Sequence, residues 1–417
     1  MNNFEAHTKD ERSRMLESLG VESIEDLYNH LPADIRISGL ALSKPLSEIV
    51  VTNEIKKLAK SDKTDYVSFL GGGASKHFIP ACVSQVAERF EFNTAYTPYQ
   101  AEISQGTLQS IYEYQSMICN LTNMDVSNAS MYDTATACAE AVLMAVRVTG
   151  RSKCLVCRRM NPQYIEVIKT YCEAADIEFS HDLSIIDDTV ACVIVQTPDY
   201  SGTIHDIPLL REKIADEKTL LICCCDPLAL TVIEPPICDV MVGNLQSLGN
   251  PLSFGGPYGA YFACLDKYKR QMPGRVVGRT VDKDGKQAFC LTLQTREQHI
   301  RREKATSNIC SNQALVALQS LIYMTVMGKE GMKQAALLCA KNAYKLAQKL
   351  ENKGFEIANK NFFNEFILRV KNADEFLANL KENNILGGIK LSENKVLVCV
   401  TEMNTDEELD MYEYFAV

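Results

Sequence analysis

Short apolar runs alternate with helix-length amphipathic runs from about residue 67 onward, and this alternation limits the folds open to the chain. Strands that are apolar at every position must be covered on both faces. The pattern therefore predicts an α/β fold with a mostly parallel sheet. Binding sites in such folds lie in loops beyond the carboxyl ends of the strands. The predicted strands are 154–157, 191–196, 220–225, 240–243 and 260–264, and the predicted helices are 107–121, 135–148, 162–174 and 207–215.

The remaining segments predict two smaller units around this sheet. Thr8 and Glu11 form a capping-box pattern before an apolar stretch that Gly20 closes, so residues 1–65 are expected to be a helical N-terminal arm. The sheet domain is expected to occupy 66–305. A long helical region, interrupted around 328–331, then leads into further strand-like runs, which predicts a small C-terminal α/β domain at 306–417.

Charge and composition exclude several classes of protein. The net charge of −10 argues against a nucleic-acid or anionic-membrane binder, because both need a basic surface. The apolar runs are strand-sized, far below the roughly 20 residues of a spanning helix. The N-terminus lacks the form of a secretion signal. The 16 cysteines, three of them adjacent, are therefore expected to be free thiols in a reducing cytoplasm.

No metal site is expected from the spacing of ligand-type residues. The six histidines show no ligand spacing, and Cys154 with Cys157 forms a single CxxC inside a strand-like run. Buried core is the interpretation that this position favours.

One polar segment, 93–106, packs hydroxyls, amides and tyrosines around a proline before a helix. Such side chains can form a wall of hydrogen-bonding groups around a small polar ligand, although tyrosines on a turn can also simply order a loop. The candidate residues are Thr94, Tyr96, Thr97, Tyr99, Gln100, Glu102 and Ser104.

A second polar group opens the predicted helix after residue 134. Tyr132, Asp133 and Thr134 place hydroxyls and free amides where an anion could bind, and simple N-capping explains the same residues. Asp226 follows the strand 220–225, where an acid in pyridoxal-phosphate (PLP) enzymes of the aminotransferase fold holds the pyridine nitrogen protonated. The alternative for Asp226 is a turn residue before Pro227.

An enzyme of that kind needs a lysine for its Schiff base a few tens of residues after the acid. Residues 219–266 contain no lysine, and the segment 244–251 is polar without an amine. Lys267 lies beside Tyr268, Lys269 and Arg270 in what is expected to be a solvated helix. The chain therefore has the scaffold of such an enzyme without its nucleophile.

Several motifs carry a family likeness. The segments YTPYQ at 96–100 and REQHIRREKATSNIC at 296–310 closely resemble glycine dehydrogenase (decarboxylating), the P-protein of the glycine cleavage system. The same holds for GGGASKHFIP at 71–80, NASMYD at 128–133, QSLG at 246–249 and FGGPY at 254–258. The likeness extends from about residue 10 to about 400, and the length is similar to subunit 1 of the split form.

The resemblance implies an aminotransferase-like fold, type I of the PLP-dependent transferases, and a heterotetramer of two such chains with two copies of subunit 2. It implies that PLP and its lysine belong to subunit 2, with none covalently on this chain. Glycine is decarboxylated, and its aminomethyl group passes to the lipoyl arm of the H-protein. Ser247 stands where the lysine would be.

The resemblance also implies where the remaining candidate residues act. Tyr132, Asp133, Thr134, Asp226, Gln246 and Ser247 are read as a vestigial cofactor pocket. The 93–106 candidates are expected to reach toward the partner's site or interface. A basic cluster is expected either to pair with acids across the interface or to be a solvated helix; its members are Arg296, Arg301, Arg302 and Lys304.

Two other functions remain open at this point. The chain could be a self-sufficient PLP enzyme that uses an unexpected lysine such as Lys267, or a binding or scaffold protein that has lost catalysis.

Overall fold

The structure is a computed structural model that describes residues 6–37, 39–93, 96–184, 186–214, 216–294, 298–309 and 311–417. It divides into two compact units, Met1–Thr64 and Asp65–Val417. We describe each unit by itself.

The first unit is helical and has no core of its own. Helix α1 spans Lys9–Leu19, and the predicted capping box is present: the Thr8 side chain accepts from the Glu11 amide, and Glu11 accepts from the Thr8 amide. Gly20 ends the helix with φ 69°, as predicted. Helix α2 spans Glu48–Ser61, and short 3₁₀ turns lie between the two helices. Among its described residues none is buried.

The second unit contains the remaining helices and strands. Its helices are α3 (Ala81–Ala87), α4 (Gln105–Thr122), α5 (Thr134–Thr149), α6 (Pro162–Ala174), α7 (Ile207–Lys213), α8 (Gln298–Arg301), α9 (Ala314–Asn352), α10 (Ala373–Glu382) and α11 (Asp406–Phe415). Its strands are β1 (Val67–Ser68), β2 (Val126–Ser127), β3 (Lys153–Val156), β4 (Glu178–Ser180), β5 (Val190–Gln196), β6 (Leu220–Cys224), β7 (Val240–Asn244), β8 (Ala260–Cys264), β9 (Val276–Val281), β10 (Gln287–Thr292), β11 (Glu356–Ile357), β12 (Glu365–Arg369), β13 (Ile385–Leu386), β14 (Ile389–Ser392) and β15 (Lys395–Cys399).

A seven-stranded sheet forms the centre of this unit, in the order β2-β8-β7-β6-β5-β3-β4. The strands from β7 through β4 pair in parallel, whereas β8 runs antiparallel to both of its neighbours, β7 and β2. The sheet is therefore mostly parallel, as the sequence predicts. The carboxyl ends of β5, β6 and β7 meet at one edge.

The central strands are apolar throughout because both faces of the sheet are covered. In β6, Leu221 and Cys223 belong to one buried cluster, which includes residues of α4 and α9. The alternate residues Ile222 and Cys224 belong to another cluster, which includes residues of α5 and α6. Successive side chains point to opposite faces, so one apolar run supplies both cores.

A smaller four-stranded antiparallel sheet, in the order β11-β12-β15-β14, lies toward the C-terminus. A third buried cluster joins it to the second half of α9, to α10 and to α11. Helix α9 is broken at Gly328, which has φ 60° and ψ −179°, in the predicted region of interruption. The short strand β1 pairs in parallel with β13 in a separate two-stranded sheet. The division at 305/306 into a large and a small domain stays a prediction.

Within the part of the chain that the structure describes, no helix is both long and apolar enough to cross a membrane. Cys154 is the second residue of β3, and Cys157 follows the end of that strand. Cys154 is fully buried, as expected of core, whereas Cys157 is half-buried.

Candidate functional site

A cavity of about 70 Å³ lies at the carboxyl edge of the central sheet. Residues at or just beyond the ends of β5, β6 and β7 line it, together with the segment 73–75 and the start of β12. This is the edge at which the sequence predicts a site. The lining residues are Gly73, Ala74, Ser75, Thr134, Tyr164, Gln196, Pro198, Tyr200, Cys224, Cys225, Asp226, Asn244, Gln246, Ser247, Phe363, Asn364 and Glu365.

Asp226 lies two residues beyond the end of β6 and is already engaged within the chain. The Ser247 hydroxyl donates to Asp226 Oδ1 over 2.9 Å, and the Leu228 amide donates to the same oxygen over 2.8 Å. Ser247 itself is buried. The hydroxyl at the expected lysine position therefore holds the carboxylate that would face a pyridine nitrogen.

Side-chain amides from the loop after β7 hold the segment 73–75 against the cavity. The Gln246 amide bonds both backbone groups of Ser75, accepting from N at 3.0 Å and donating to O at 2.9 Å. The Asn244 amide donates to Gly73 O over 2.7 Å. The side chain of Gln246, which the sequence analysis placed in the cofactor pocket, is thus engaged by the chain's own backbone.

Glu365, the first residue of β12, brings a second carboxylate to the cavity. Its Oε1 accepts from the Gly72 amide over 2.6 Å. Burial raises the pKa of Glu365 to about 7; the Gly72 amide opposes this shift, and the charges of Asp226 and Asp199 add to it. A Cβ on Gly71 would lie 2.1 Å from Glu365 Oε1, so glycine is needed for this close approach.

Sequence reasoning missed Glu365, because it lies more than a hundred residues beyond Ser247, the last cavity residue that the sequence indicated. The one signal was the run of three glycines at 71–73, which indicates a close backbone approach. Gly72 and Gly73 do form a sharp turn, with φ values of 77° and 116°.

Lys267 lies at the opposite edge of the sheet. It follows β8, whose end pairs with the start of the parallel strand β7. Its Nζ lies 3.5 Å from Asp239 Oδ1 and 4.7 Å from the centre of the Tyr268 ring, and its side chain is 58% exposed. No lysine lines the cavity among the described residues.

The residues of the cavity do not fit PLP. Cofactor-sized ligands occupy pockets of about 300–1,000 Å³, several times the volume found here. The lining offers no amine for a Schiff base, and Asp226 is bonded to Ser247. We therefore derive no chemical step through that group on this chain.

Tyr132, Asp133 and Thr134, at the start of α5, were predicted either to bind an anion or to cap the helix, and their positions in the structure differ. The Asp133 side chain accepts from the Thr136 amide over 2.8 Å, so it caps the helix. The Tyr132 hydroxyl accepts from the Ser311 amide over 3.2 Å. Of the three, Thr134 alone lines the cavity, where Asp226, Gln246 and Ser247 join it.

The polar segment 93–106 lies before α4 and away from this cavity. Tyr96 is 85% exposed and lines a separate groove of about 460 Å³ together with residues of α4 and α9. Tyr99 is 47% exposed, and its hydroxyl accepts from Arg275 Nη2 over 3.3 Å while the ring lies 5.5 Å from the guanidinium. The segment therefore presents an exposed tyrosine beside one that is anchored.

The other candidates of that segment differ in exposure. Gln100 and Glu102 are exposed, Thr97 is half-buried, and Ser104 is buried where α4 begins. Thr94 lies outside the described residues.

The basic cluster lies on one exposed stretch. Arg301 ends α8, and Arg302 and Lys304 lie on the following 3₁₀ turn; all three are exposed. Arg296 lies outside the described residues. Their pairing with a partner stays a prediction.

Comparisons with known proteins agree on the family. The family profile described as "Glycine cleavage system P-protein" matches residues 2–415. A protein of Desulforamulus reducens named "Probable glycine dehydrogenase (decarboxylating) subunit 1" is 45% identical, with 98% of each chain covered. A protein of the same name from Carboxydothermus hydrogenoformans is 44% identical, with 98% of this chain and 97% of that one covered.

Solved structures agree with these relatives. The crystal structure of glycine decarboxylase (P-protein) of the glycine cleavage system, in inhibitor-bound form, superposes with a TM-score of 0.89 at 39% identity, covering 99% of both chains. A glutamate decarboxylase from Lactobacillus brevis is 11% identical with a TM-score of 0.64, and it shows the fold alone. The fold is that of the fold type I PLP-dependent enzymes, as predicted, and the chain belongs to the glycine cleavage system P-protein family.

Proposed function

We propose that this chain is subunit 1 of a heteromeric glycine dehydrogenase (aminomethyl-transferring), EC 1.4.4.2, which works in the cytoplasm with a subunit 2 that holds PLP. The observation that carries the proposal is the cavity of about 70 Å³, which has no lysine in its lining and whose Asp226 is bonded to Ser247. A chain of this family without its own cofactor site needs a partner that has one. The substrates of the assembled enzyme are glycine and the lipoylated H-protein.

In that assembly PLP, when bound to subunit 2, supplies the electron sink for the carbanion that decarboxylation leaves. The present chain contributes side chains that bind, orient and exclude water. Tyr96 is the first candidate, because its side chain is 85% exposed and the structure assigns no hydrogen bond to its hydroxyl among the described residues. Tyr99 is anchored by its contacts with Arg275.

Co-expression with a subunit 2 tests the proposal at the level of assembly. We expect an α2β2 complex that exchanges labelled bicarbonate into glycine, and we expect the chain purified alone to be colourless after incubation with PLP. A pair that forms no complex, or a complex without exchange, would favour the scaffold alternative. An absorbing internal aldimine on the isolated chain would favour a self-sufficient enzyme.

Tyr96→Phe tests whether the tyrosine segment reaches the working site. We expect a lower exchange rate in the assembled enzyme with no change in assembly, because the substitution removes one hydroxyl from an exposed ring. Tyr414→Phe is the matched control, since Tyr414 is also exposed, at 74%, but lies on α11. Equal rates for wild type and Tyr96→Phe would mean that the segment is structural.

A further inference from the structure

We propose that His77, Cys339 and Glu402 form a zinc site in this chain. They come from three distant parts of the sequence: the segment before α3, the middle of α9, and the loop between β15 and α11. One ligand atom of each lies within 4.8 Å of the others. This inference is independent of the proposed function.

The geometry of the three side chains is compact. Glu402 Oε2 lies 2.9 Å from His77 Nδ1 and 3.0 Å from Cys339 Sγ. His77 and Cys339 are buried, and the Glu402 side chain is only 8% exposed. An imidazole, a thiol and a carboxylate that face one another away from water are the donor types that zinc takes in proteins.

Residues around the three hold them in place, as they do around known zinc sites. His77 Nε2 lies 2.9 Å from Ser75 Oγ, which leaves Nδ1 turned toward Glu402. The second carboxylate oxygen, Glu402 Oε1, accepts from the Phe78 amide over 2.7 Å. Both the ring and the carboxylate are thus oriented by bonds that metal binding would not break.

Little movement is needed to admit an ion. Zinc bonds of about 2.0 Å to nitrogen and oxygen and 2.3 Å to sulfur, in tetrahedral geometry, separate N and O by about 3.3 Å and S and O by about 3.5 Å. The separations of 2.9 and 3.0 Å are a few tenths of an ångström shorter. The third pair, His77 Nδ1 and Cys339 Sγ, lies within 4.8 Å and would have to settle at about 3.5 Å. With these adjustments the three side chains supply three protein ligands and leave a fourth position.

Zinc binding would release a number of protons that can be measured. Zinc forms a bond to Cys339 Sγ as the thiol proton leaves to buffer. Zinc takes the neutral imidazole, so a protonated His77 would lose its Nδ1 proton as well, whereas a neutral ring keeps its proton on Nε2 facing Ser75.

The test uses the full-length chain, stripped of metal with a chelator and titrated with Zn²⁺ alone by calorimetry in buffers of different ionisation enthalpy. We expect one ion per chain and the release of one to two protons. Substitution of Co²⁺ is expected to give a thiolate-to-cobalt charge-transfer absorption, which requires a cysteine ligand.

Cys339→Ala removes one ligand and little volume, so the helix should fold. Because loss of a group that merely orients a ligand costs about 10–100-fold in affinity, loss of a ligand should cost more than about 100-fold. Cys172→Ala is the matched control, since Cys172 is also buried on a helix but lies outside the cluster. Ser75→Ala should weaken binding by about 10-fold.

Three results would overturn the proposal. They are no binding to the wild-type chain, binding that Cys339→Ala leaves unchanged, and a cobalt complex without the charge-transfer absorption. Weakening by Cys172→Ala as much as by Cys339→Ala would also count against it.

Discussion

Glu365→Gln should stabilise the chain at pH 8 and have little effect near pH 4.5. Burial raises the pKa of Glu365 from 4.5 to about 7, with Asp226, Asp199 and His77 as the charged groups around it. A carboxyl whose folded-state pKa is raised contributes stability below its unfolded pKa and loses that contribution as the pH rises through the folded value. The window of the effect is therefore about pH 4.5 to 7.

The magnitude follows from the size of the shift. A difference of about 2.5 pKa units at 1.36 kcal/mol per unit gives about 3 kcal/mol. This figure is an upper limit, because Glu365 is half-buried and one side faces the cavity. The glutamine keeps an acceptor for the Gly72 amide, so the hydrogen bond at 2.6 Å survives while the charge is removed.

Urea unfolding of both proteins at several pH values between 4.5 and 8 measures the effect. The quantity of interest is the difference in unfolding free energy between Glu365→Gln and wild type at each pH, because other titrating groups cancel in it. Glu217→Gln, at an exposed position, is the control. A difference that does not vary with pH, or a glutamine variant that is the less stable protein at pH 8, would refute the assignment of a raised pKa.

Three other perturbations test separate parts of the structure. Ser247→Lys should not create a PLP enzyme, because the cavity of about 70 Å³ cannot admit the cofactor; a visible aldimine absorbance after incubation with PLP would disprove the size argument. Gly202→Ala should lower the unfolding free energy by about 2–4 kcal/mol, since φ is +82° and the new Cβ would lie 1.9 Å from Glu365 O. Gly285→Ala, with φ +79° and open space around it, should cost only about 1 kcal/mol, and equal losses for the two would contradict the clash. Deletion of residues 1–64 should leave the thermal transition of 65–417 in place, because the three large buried clusters lie within that range. The deletion should weaken assembly with subunit 2, measured by size-exclusion chromatography, because the arm exposes many apolar side chains. An undiminished complex would exclude the arm from the interface.

The secondary structure was predictable where local chemistry decides it. The capping box at Thr8 and Glu11 and the helix Pro162–Ala174 are present as the sequence predicts, and so is the strand Ala260–Cys264. Runs that are apolar at every position predicted a sheet covered on both faces. The antiparallel direction of β8 was not predictable, because an apolar run carries no sign of the direction in which it pairs.

The site was predictable only in part. The position of Asp226 directly after the predicted strand 220–225 placed it at the correct edge, and the absence of lysine from 219–266 was visible directly in the sequence. The bond from Ser247 to Asp226 and the two bonds between Gln246 and Ser75 join residues 21 and 171 positions apart. No local sequence pattern predicts contacts between residues that are so far apart in the chain.

The sequence by itself determined that the chain has a mostly parallel sheet with an acid after one of its strands, and that no lysine follows this acid at the spacing that a Schiff base needs. Both features depend only on which residues follow one another along the chain. Only the tertiary structure decided how large the cavity is, that Glu365 enters it, and that His77, Cys339 and Glu402 meet. Those outcomes depend on contacts of Gly72 with Glu365, of His77 with Glu402 and of Glu402 with Cys339, and packing brings together residues whose separation along the chain gives no indication of it.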